Sequence, residues 1–105
     1  MIGDANGSAV ALVDAVRCRF PSFDDVATVD SREVRFLKRA QILIGDLHGA
    51  FGGEGLGAFF DLSELTAFAD YKVPQVLRRF EVLRYVPELE AALHARQLIP
   101  ANSAW

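Results

Sequence analysis

Apolar residues recur in the first part of the chain every three or four positions, which is the spacing of an amphipathic helix. The earliest such run covers residues 9–16. Ser8 precedes this run with a side chain suited to cap a helix N-terminus, and Pro21 lies where a helix has to end. We therefore predict a first helix over residues 9–16 and a loop over residues 21–30.

A second and longer helix is predicted after this loop. Asp30 precedes Glu33 by three residues, which approximates the capping box found at helix starts. At about 100° per residue, the apolar positions that follow fall on one broad face, with basic residues opposite. These apolar positions are Phe36, Leu37, Ala40, Leu43, Ile44, Leu47 and Phe51. So wide a face predicts that this helix lies at the centre of the core.

A short third helix is predicted after a glycine-rich break. Four glycines fall within residues 52–57 and end the second helix. Asp61 and Glu64 then repeat the acidic cap pattern, and the apolar residues that follow predict a helix over residues 62–69.

The last part of the chain carries two proline-led helical patterns. Pro74 and Pro87 each suit the first helical position, because the N–H that proline lacks has no intrahelical partner there. Residues 98–105 are predicted to be extended. Since no segment of useful length alternates between apolar and polar residues, we predict an all-α fold, a single bundle of about five helices.

The composition agrees with one ordinary domain. Hydrophobic residues make up 51% and charged residues 24% of the 105, a balance typical of globular proteins. No stretch approaches the roughly 18 apolar residues of a membrane span, and Met1 to Asp4 lack the basic region of a secretory signal. The net charge of −3 argues against a protein whose main role is to bind a nucleic-acid backbone. We expect a single helical domain over residues 1–105.

The cysteine and histidine contents argue against metal chemistry. Cys18 is the single cysteine, so an internal disulfide and a cysteine-based zinc site are excluded, and a reducing cytoplasm is the expected compartment. On its mostly apolar helix, Cys18 is expected to be a small core residue. His48 and His94 are the two histidines, and we predict no metal site. His48 is expected to be partly buried and hydrogen-bonded.

The glycines of residues 52–57 admit two interpretations. Their backbone N–H groups suit a phosphate cradle, yet the segment lacks both the Gly-x-Gly-x-x-Gly spacing and the Gly-Lys-Ser/Thr ending. A helix stop followed by a turn is favoured.

Lys38 is offset from the exposed basic ridge of the second helix. It lies toward Gln41 and Gly45, one and two turns further on. A glycine inside a helix costs about 1 kcal/mol relative to alanine, and its missing side chain leaves room for a small polar pocket beside Lys38. A lysine that extends from the core rim into water is the alternative, and the pattern alone favours it.

Asp70 is the second anomaly. It closes the predicted third helix, where the negative end of the helix dipole disfavours a carboxylate, and apolar residues surround it. Such a carboxyl group suits acid/base or ion-stabilising chemistry. The alternative, favoured by the pattern alone, is a turn aspartate that accepts hydrogen bonds from local backbone N–H groups.

Basic residues invite a nucleic-acid interpretation, but acidic residues lie between them, so a solvated helix face accounts better for most. The basic residues concerned are Arg32, Arg35, Lys38, Arg39, Arg78, Arg79 and Arg84.

Two long runs resemble the queuosine salvage proteins. Residues 36–46 read FLKRAQILIGD, and residues 65–77 read LTAFADYKVPQVL. The family typically reads Phe-Tyr-Lys-Arg-Ala-Gln-Ile-Leu-Val-Ala-Asp and Leu-Thr-Met-Phe-Ala-Asp-Tyr-Arg-Val-Pro-Gln-Val-Leu at these places. Arginine is typical where Lys72 stands, so the bidentate fork of that side chain is lost here. Members of the family are considerably longer than this chain.

The resemblance implies a fold related to the helix-hairpin-helix DNA glycosylases and an N-glycosidase (a hydrolase) that releases queuine from queuosine 5′-monophosphate for tRNA modification. It implies that Lys38 and Asp70 belong to the active site, with Asp70 stabilising positive charge on the ribose and Lys38 binding the substrate. Tyr71 and Lys72 are candidate substrate contacts. No metal or organic cofactor, no stable nucleic-acid partner and no membrane are expected. The alternatives are a nucleic-acid-binding module and a non-catalytic helical module or fragment.

Overall fold

A computed structural model of the chain describes residues 1–100. The chain divides into two compact units, Met1–Val73 and Pro74–Trp105. The elements in chain order are α1 Ala9–Arg19, β1 Val26–Val29, β2 Arg32–Arg35, α2 Lys38–Ala50, α3 Lys72–Arg79 and α4 Pro87–His94. The predicted extension of residues 98–105 falls partly outside the described residues, and the single domain over residues 1–105 stays a prediction.

The all-α prediction is wrong because β1 and β2 form an antiparallel hairpin, so the fold is mixed. Asp30 and Ser31 connect the two strands, and both have positive φ angles of 47° and 63°, as in the tight turns that suit strand twist. The pair Asp30 and Glu33 therefore belongs to a turn and a strand and does not cap a helix. Most strand residues are exposed on both faces, so the sequence carries no alternation of buried and exposed positions.

The second helix consequently begins later than predicted. Leu37 has a positive φ of 48° and provides no side-chain cap for α2. Asp25 takes that role from the loop before β1, since its Oδ2 accepts a hydrogen bond from the Lys38 N–H at 3.1 Å. The first turn of α2 is thus fixed by a carboxylate 13 residues earlier in the chain.

The core of the first unit lies between α1 and α2. Leu12 and Val16 of α1 and Ile44 of α2 are completely buried, which confirms the predicted central position of α2. Phe36 and Phe51, however, are 41% and 46% exposed, because they lie outside the helix at its two ends.

The prediction that Cys18 is a core residue is wrong. Cys18 lies in the last turn of α1 and is exposed. The buried positions of α1 are Ala9, Leu12, Val13 and Val16, and the position of Cys18 falls away from the face that they form.

The start of α1 combines the predicted cap with an unexpected one. Ser8 Oγ accepts the Ala11 N–H at 3.0 Å, as predicted, and it also donates to Asp61 Oδ2 at 2.6 Å. Asp61 Oδ1 accepts the Ala9 N–H at 2.5 Å. Asp61 therefore stabilises α1 from a distant segment and does not cap the predicted helix over residues 62–69. That helix is reduced to a single 3₁₀ turn, Leu62–Glu64.

These contacts make the stability of α1 depend on pH. The hydrogen bond from Ser8, followed by those from backbone N–H groups, lowers the pKa of Asp61 below its ordinary value of 3.8, against an opposing effect of burial. A lowered pKa in the folded state means that the stabilisation is present above the unfolded-state pKa and is lost as the pH falls through the folded-state pKa.

We expect Asp61→Asn to lower the Tm at neutral pH and to reduce the fall in Tm between about pH 5 and about pH 3. Thermal unfolding followed by circular dichroism at both pH values measures this. Glu64→Gln, at an exposed carboxylate three residues further on, is the control. An unchanged pH dependence in Asp61→Asn would contradict the assignment.

Proline occupies the predicted first position in only one of the two later helices. Helix α4 begins at Pro87 as predicted, whereas α3 begins at Lys72, so Pro74 occupies its third position. Proline is tolerated there because N–H groups of the first turn need no intrahelical acceptor. Within the second unit, Arg78 pairs with Glu90 and stacks over the Tyr85 ring, 4.5 Å from its centroid. Over residues 1–100, no helix combines the length and the apolar character needed to cross a bilayer.

Candidate active site

The structure brings together Lys38 and Asp70, two residues that are 32 positions apart in the sequence. Lys38 opens α2, and Asp70 lies just before α3. The distance from Lys38 Nζ to Asp70 Oδ2 is 3.7 Å, which is an ion pair but too long for a direct hydrogen bond. The two side chains are 31% and 29% exposed, so solvent and small molecules can reach both. A pair this exposed contributes only about 0–1 kcal/mol to stability.

The two carboxylate oxygens of Asp70 have separate roles. Oδ1 accepts hydrogen bonds from the N–H groups of Lys72 at 2.8 Å and Val73 at 3.3 Å. Oδ2 faces Lys38. The prediction that Asp70 closes a helix is wrong, because Asp70 precedes α3. The N-terminus of that helix favours the negative charge of the carboxylate. The local N–H bonding that the sequence offered as the alternative is present, and it orients the second oxygen toward Lys38.

Of the two interpretations offered for Lys38 and Gly45, the structure does not support the polar pocket. The aromatic ring of Phe68 lies against Gly45, and a Cβ atom added to this glycine would come within 3.3 Å of Phe68 Cζ. The space left by the missing side chain is thus filled by an aromatic ring.

Gln41 and Thr66 form a second contact between the same two segments. The Gln41 side chain is buried, at 5% exposure. Its Nε2 donates to Thr66 Oγ1 at 3.1 Å, and its Oε1 accepts the Thr66 N–H at 2.7 Å. In the sequence, Gln41 served only to locate Lys38, and Thr66 was not predicted to take part in a site. A glutamine at a position that shares a helix face with apolar residues was the available signal.

Tyr71 and Lys72 lie beside Asp70 along the chain but not against Lys38. The Tyr71 ring is 70% exposed, and Lys72 Nζ lies 5.2 Å from its centroid. Over residues 1–100, no hydrogen bond or ion pair joins either side chain to Lys38. Both are therefore accessible neighbours of the candidate carboxylate, and their role as substrate contacts stays a prediction.

A small cleft lies close to these residues without including the ion pair. Its volume is about 230 Å³, and Gln41 and Thr66 form part of its wall, whereas Lys38 and Asp70 do not. Ligand pockets usually measure about 300–1,000 Å³. The Lys38–Asp70 pair lies outside this cleft, and both of its side chains are about 30% exposed.

The glycine-rich segment is a helix stop. The Gly53 N–H bonds to the His48 carbonyl at 2.8 Å, and a His48 ring nitrogen lies 2.9 Å from the Gly57 carbonyl. His48 is thus partly buried and hydrogen-bonded, as predicted. The N–H groups of Gly52, Gly53 and Gly57 all bond to nearby carbonyls, which argues against a phosphate cradle. Residues 1–100 contain no group of three or more potential metal ligands.

Two of the basic residues considered for nucleic-acid binding are already engaged by other groups of the chain. Arg35 pairs with Glu33 at 2.5 Å, and Arg39 donates to the Ser22 carbonyl at 3.1 Å. The Arg39 guanidinium also lies 5.1 Å from the centroid of the Phe23 ring. Such pairing is typical of a solvated protein surface and gives little support to nucleic-acid binding.

The whole chain, residues 1–105, matches the family model described as "Queuosine salvage protein". The chain belongs to this family. The resemblance drawn from residues 36–46 and 65–77 is therefore confirmed, and these two runs contain both members of the ion pair.

Curated relatives agree with the family model. Proteins named "Queuosine 5′-phosphate N-glycosylase/hydrolase" from Sphaerobacter thermophilus and Dictyostelium discoideum are 63% and 48% identical over 102 and 103 residues. These matches cover 97% and 98% of this chain but 32% of each relative. A relative of the same name from Nematostella vectensis is 46% identical over 95% of the chain and 29% of its own length. The chain thus spans about a third of these relatives.

Proposed function

We propose that this chain carries Lys38 and Asp70 for hydrolysis of the N-glycosidic bond of queuosine 5′-monophosphate, which releases queuine. The single observation that carries the proposal is the 3.7 Å pairing of these two side chains, both accessible, in a chain whose relatives bear the name of this activity. Queuine released in this way is available for tRNA modification.

The proposed role of Asp70 follows from the charge that the reaction creates. The bond between ribose C1′ and the base nitrogen breaks, and its electron pair leaves with the base, so positive charge develops on the sugar ring. A carboxylate oxygen beside the ring stabilises that charge, either directly or through a covalent bond to C1′. Water supplies the hydroxyl group that ends on C1′ and the proton that ends on the base. Asp70 Oδ2 suits this role because Oδ1 is already held by backbone N–H groups.

The proposed role of Lys38 is to bind the substrate by a charge-assisted hydrogen bond to the ribose or its phosphate. Tyr71 offers an exposed ring for contact with the base or sugar, and Lys72 a second cation for the phosphate. The scheme needs no metal or organic cofactor. The proposed compartment is the cytoplasm, on the ground that Cys18 is the single cysteine.

Incubation of the purified chain with queuosine 5′-monophosphate tests the proposal. Queuine and ribose 5-phosphate should appear in equal amounts, and mass spectrometry measures both. If neither appears, these residues do not suffice for hydrolysis, and a non-catalytic module becomes the better interpretation. Exposed apolar side chains, such as Phe60 at 79%, are the observation that favours that alternative.

We expect Lys38→Met to raise KM for queuosine 5′-monophosphate by about 10–100-fold, the range expected for one charge-assisted hydrogen bond. Methionine retains most of the apolar stem of the lysine and removes the charge. Steady-state kinetics with the nucleotide and with the nucleoside queuosine measure the effect, which should be smaller for the nucleoside if Lys38 contacts the phosphate. Arg32→Met in the exposed hairpin is the matched control, and an equal effect of both variants would contradict the role.

A further inference from the structure

We propose that Gln41 is a positioning residue that holds Asp70 beside Lys38, a role that rests on the proposed hydrolysis. Among the polar residues of the described chain, Gln41 is the most completely buried, with 5% of its surface exposed. Burying an amide without hydrogen-bond partners costs free energy, so a buried glutamine must be matched by fixed donors and acceptors.

The partners of Gln41 come from both sides of the ion pair. Nε2 donates to the Phe36 carbonyl at 3.1 Å, just before α2, and to Thr66 Oγ1 at 3.1 Å. Oε1 accepts the Thr66 N–H at 2.7 Å. The contact with the Thr66 backbone matters most, because it holds the main chain four residues before Asp70 and not only a side chain.

The segment that leads to Asp70 has little local structure of its own. Residues 65–69 lie between the 3₁₀ turn Leu62–Glu64 and α3, and they form neither helix nor strand. The path of this segment must therefore be set by contacts with the rest of the unit. Three residues of α2 at helix positions i, i+3 and i+7, which share one stripe of the helix, contact this segment or Asp70 itself. The contacts are Lys38 with Asp70, Gln41 with Thr66, and Gly45 with Phe68.

Within this stripe Gln41 is the residue suited to positioning. The Lys38–Asp70 pair is partly exposed and weak, and Phe68 against Gly45 is a contact without hydrogen bonds. The Gln41–Thr66 contact is made of directional hydrogen bonds, and Gln41 itself is buried. Loss of it should let residues 65–69 move relative to α2 and carry Asp70 Oδ2 away from Lys38. A displacement of about 1 Å is enough to cost roughly 100-fold in rate.

A cross-linking experiment measures the position of Asp70 without any need for activity. A water-soluble carbodiimide adds to the Asp70 carboxyl group and activates it. The Lys38 amine then attacks the activated carbonyl carbon to form an amide, and the carbodiimide leaves as the urea. We expect Gln41→Met, which removes the hydrogen bonds at similar volume, to lower the yield of this cross-link several-fold by peptide mass spectrometry. Ile44→Val, which shortens a completely buried side chain on the same helix, should leave the yield unchanged.

Thr66→Val covers the case in which Gln41→Met does not fold. It removes Oγ1 and keeps the backbone N–H bond, so we expect a smaller decrease in cross-link yield. Amide hydrogen exchange should show faster exchange at residues 66–73 in both variants, with α1 unaffected. A folded Gln41→Met variant with wild-type cross-link yield and wild-type exchange would overturn the proposal.

The kinetic readout separates positioning from general stability. We expect Gln41→Met to lower kcat by about 10–100-fold with a KM change of less than about threefold, because binding through Lys38 is retained. Ile44→Val should lower the Tm without this change in kcat. If the wild-type chain releases no queuine but the cross-link still depends on Gln41, the proposed hydrolysis fails for this chain while the positioning of Asp70 stands. If Gln41→Met and Ile44→Val release queuine with equal kcat, the positioning role of Gln41 is refuted.

Discussion

Asp70→Asn should lower queuine release from queuosine 5′-monophosphate by at least about 100-fold, the lower end of what one well-placed catalytic group contributes. Asparagine has the same shape, and its Oδ1 can still accept the N–H groups of Lys72 and Val73, so the start of α3 is preserved. What disappears is the negative charge on the oxygen that faces Lys38. The effect should therefore fall on kcat and leave the fold intact.

Single-turnover assays with mass spectrometry of the free base measure this loss, and circular dichroism checks that the variant is folded. Asp46→Asn is the matched control, because it makes the same change at an exposed carboxylate of α2. A turnover in Asp70→Asn close to that of the wild type would remove Asp70 from the mechanism. Equal losses in both variants would point to a general effect of charge.

Gly57→Ala should lower the free energy of unfolding by about 1–3 kcal/mol, the usual cost of adding an atom to a packed site. Gly57 is buried, and an added Cβ would come within 2.7 Å of both the Leu47 carbonyl oxygen and Phe51 Cβ. Neither is the mobile end of a side chain, so the turn would have to move away from α2. For a domain of this size each kcal/mol corresponds to about 4–8 °C in Tm.

Gly49→Ala provides a control with the opposite sign. Gly49 lies in α2, and apart from its chain neighbours and the backbone of its own helix no atom lies within 4 Å of the added Cβ, so alanine should stabilise the protein by up to about 1 kcal/mol. Denaturant titration of both variants measures the difference. If both variants are destabilised, or neither is, then close packing of Gly57 against α2 is not the reason that this position requires glycine.

The quality of the sequence predictions followed how local each signal was. The cap at Ser8, the helix stop over residues 52–57 and the start of α4 at Pro87 all depend on neighbouring residues, and all three are found in the structure. The hairpin was missed because both strands are short and largely exposed, so burial imposes no alternation on their sequence. Asp30 and Glu33, read as a helix cap, fit the turn and strand equally well.

In the candidate site, too, the local signals were found in the sequence and the contacts between distant residues were not. Lys38 and Asp70 stood out as chemically unusual positions, and the family resemblance pointed to the same two residues. Their pairing could not be derived from spacing, because residues 65–69 have no regular structure from which a direction could be predicted. The contact between Gln41 and Thr66 could not be derived either, since a hydrogen bond between residues 25 positions apart leaves no local pattern.

The sequence by itself determined the family, the positions of α1 and α4, and the end of α2, because these depend on motif identity, capping and chain-breaking residues close to one another. Only the tertiary structure decided where α2 begins, what Asp61 caps and which oxygen of Asp70 faces Lys38. Each of these outcomes is set by a carboxylate that meets a backbone N–H or a cation from another part of the chain. A carboxylate satisfies whichever donor the folded chain brings to it, and the order of residues does not specify that donor.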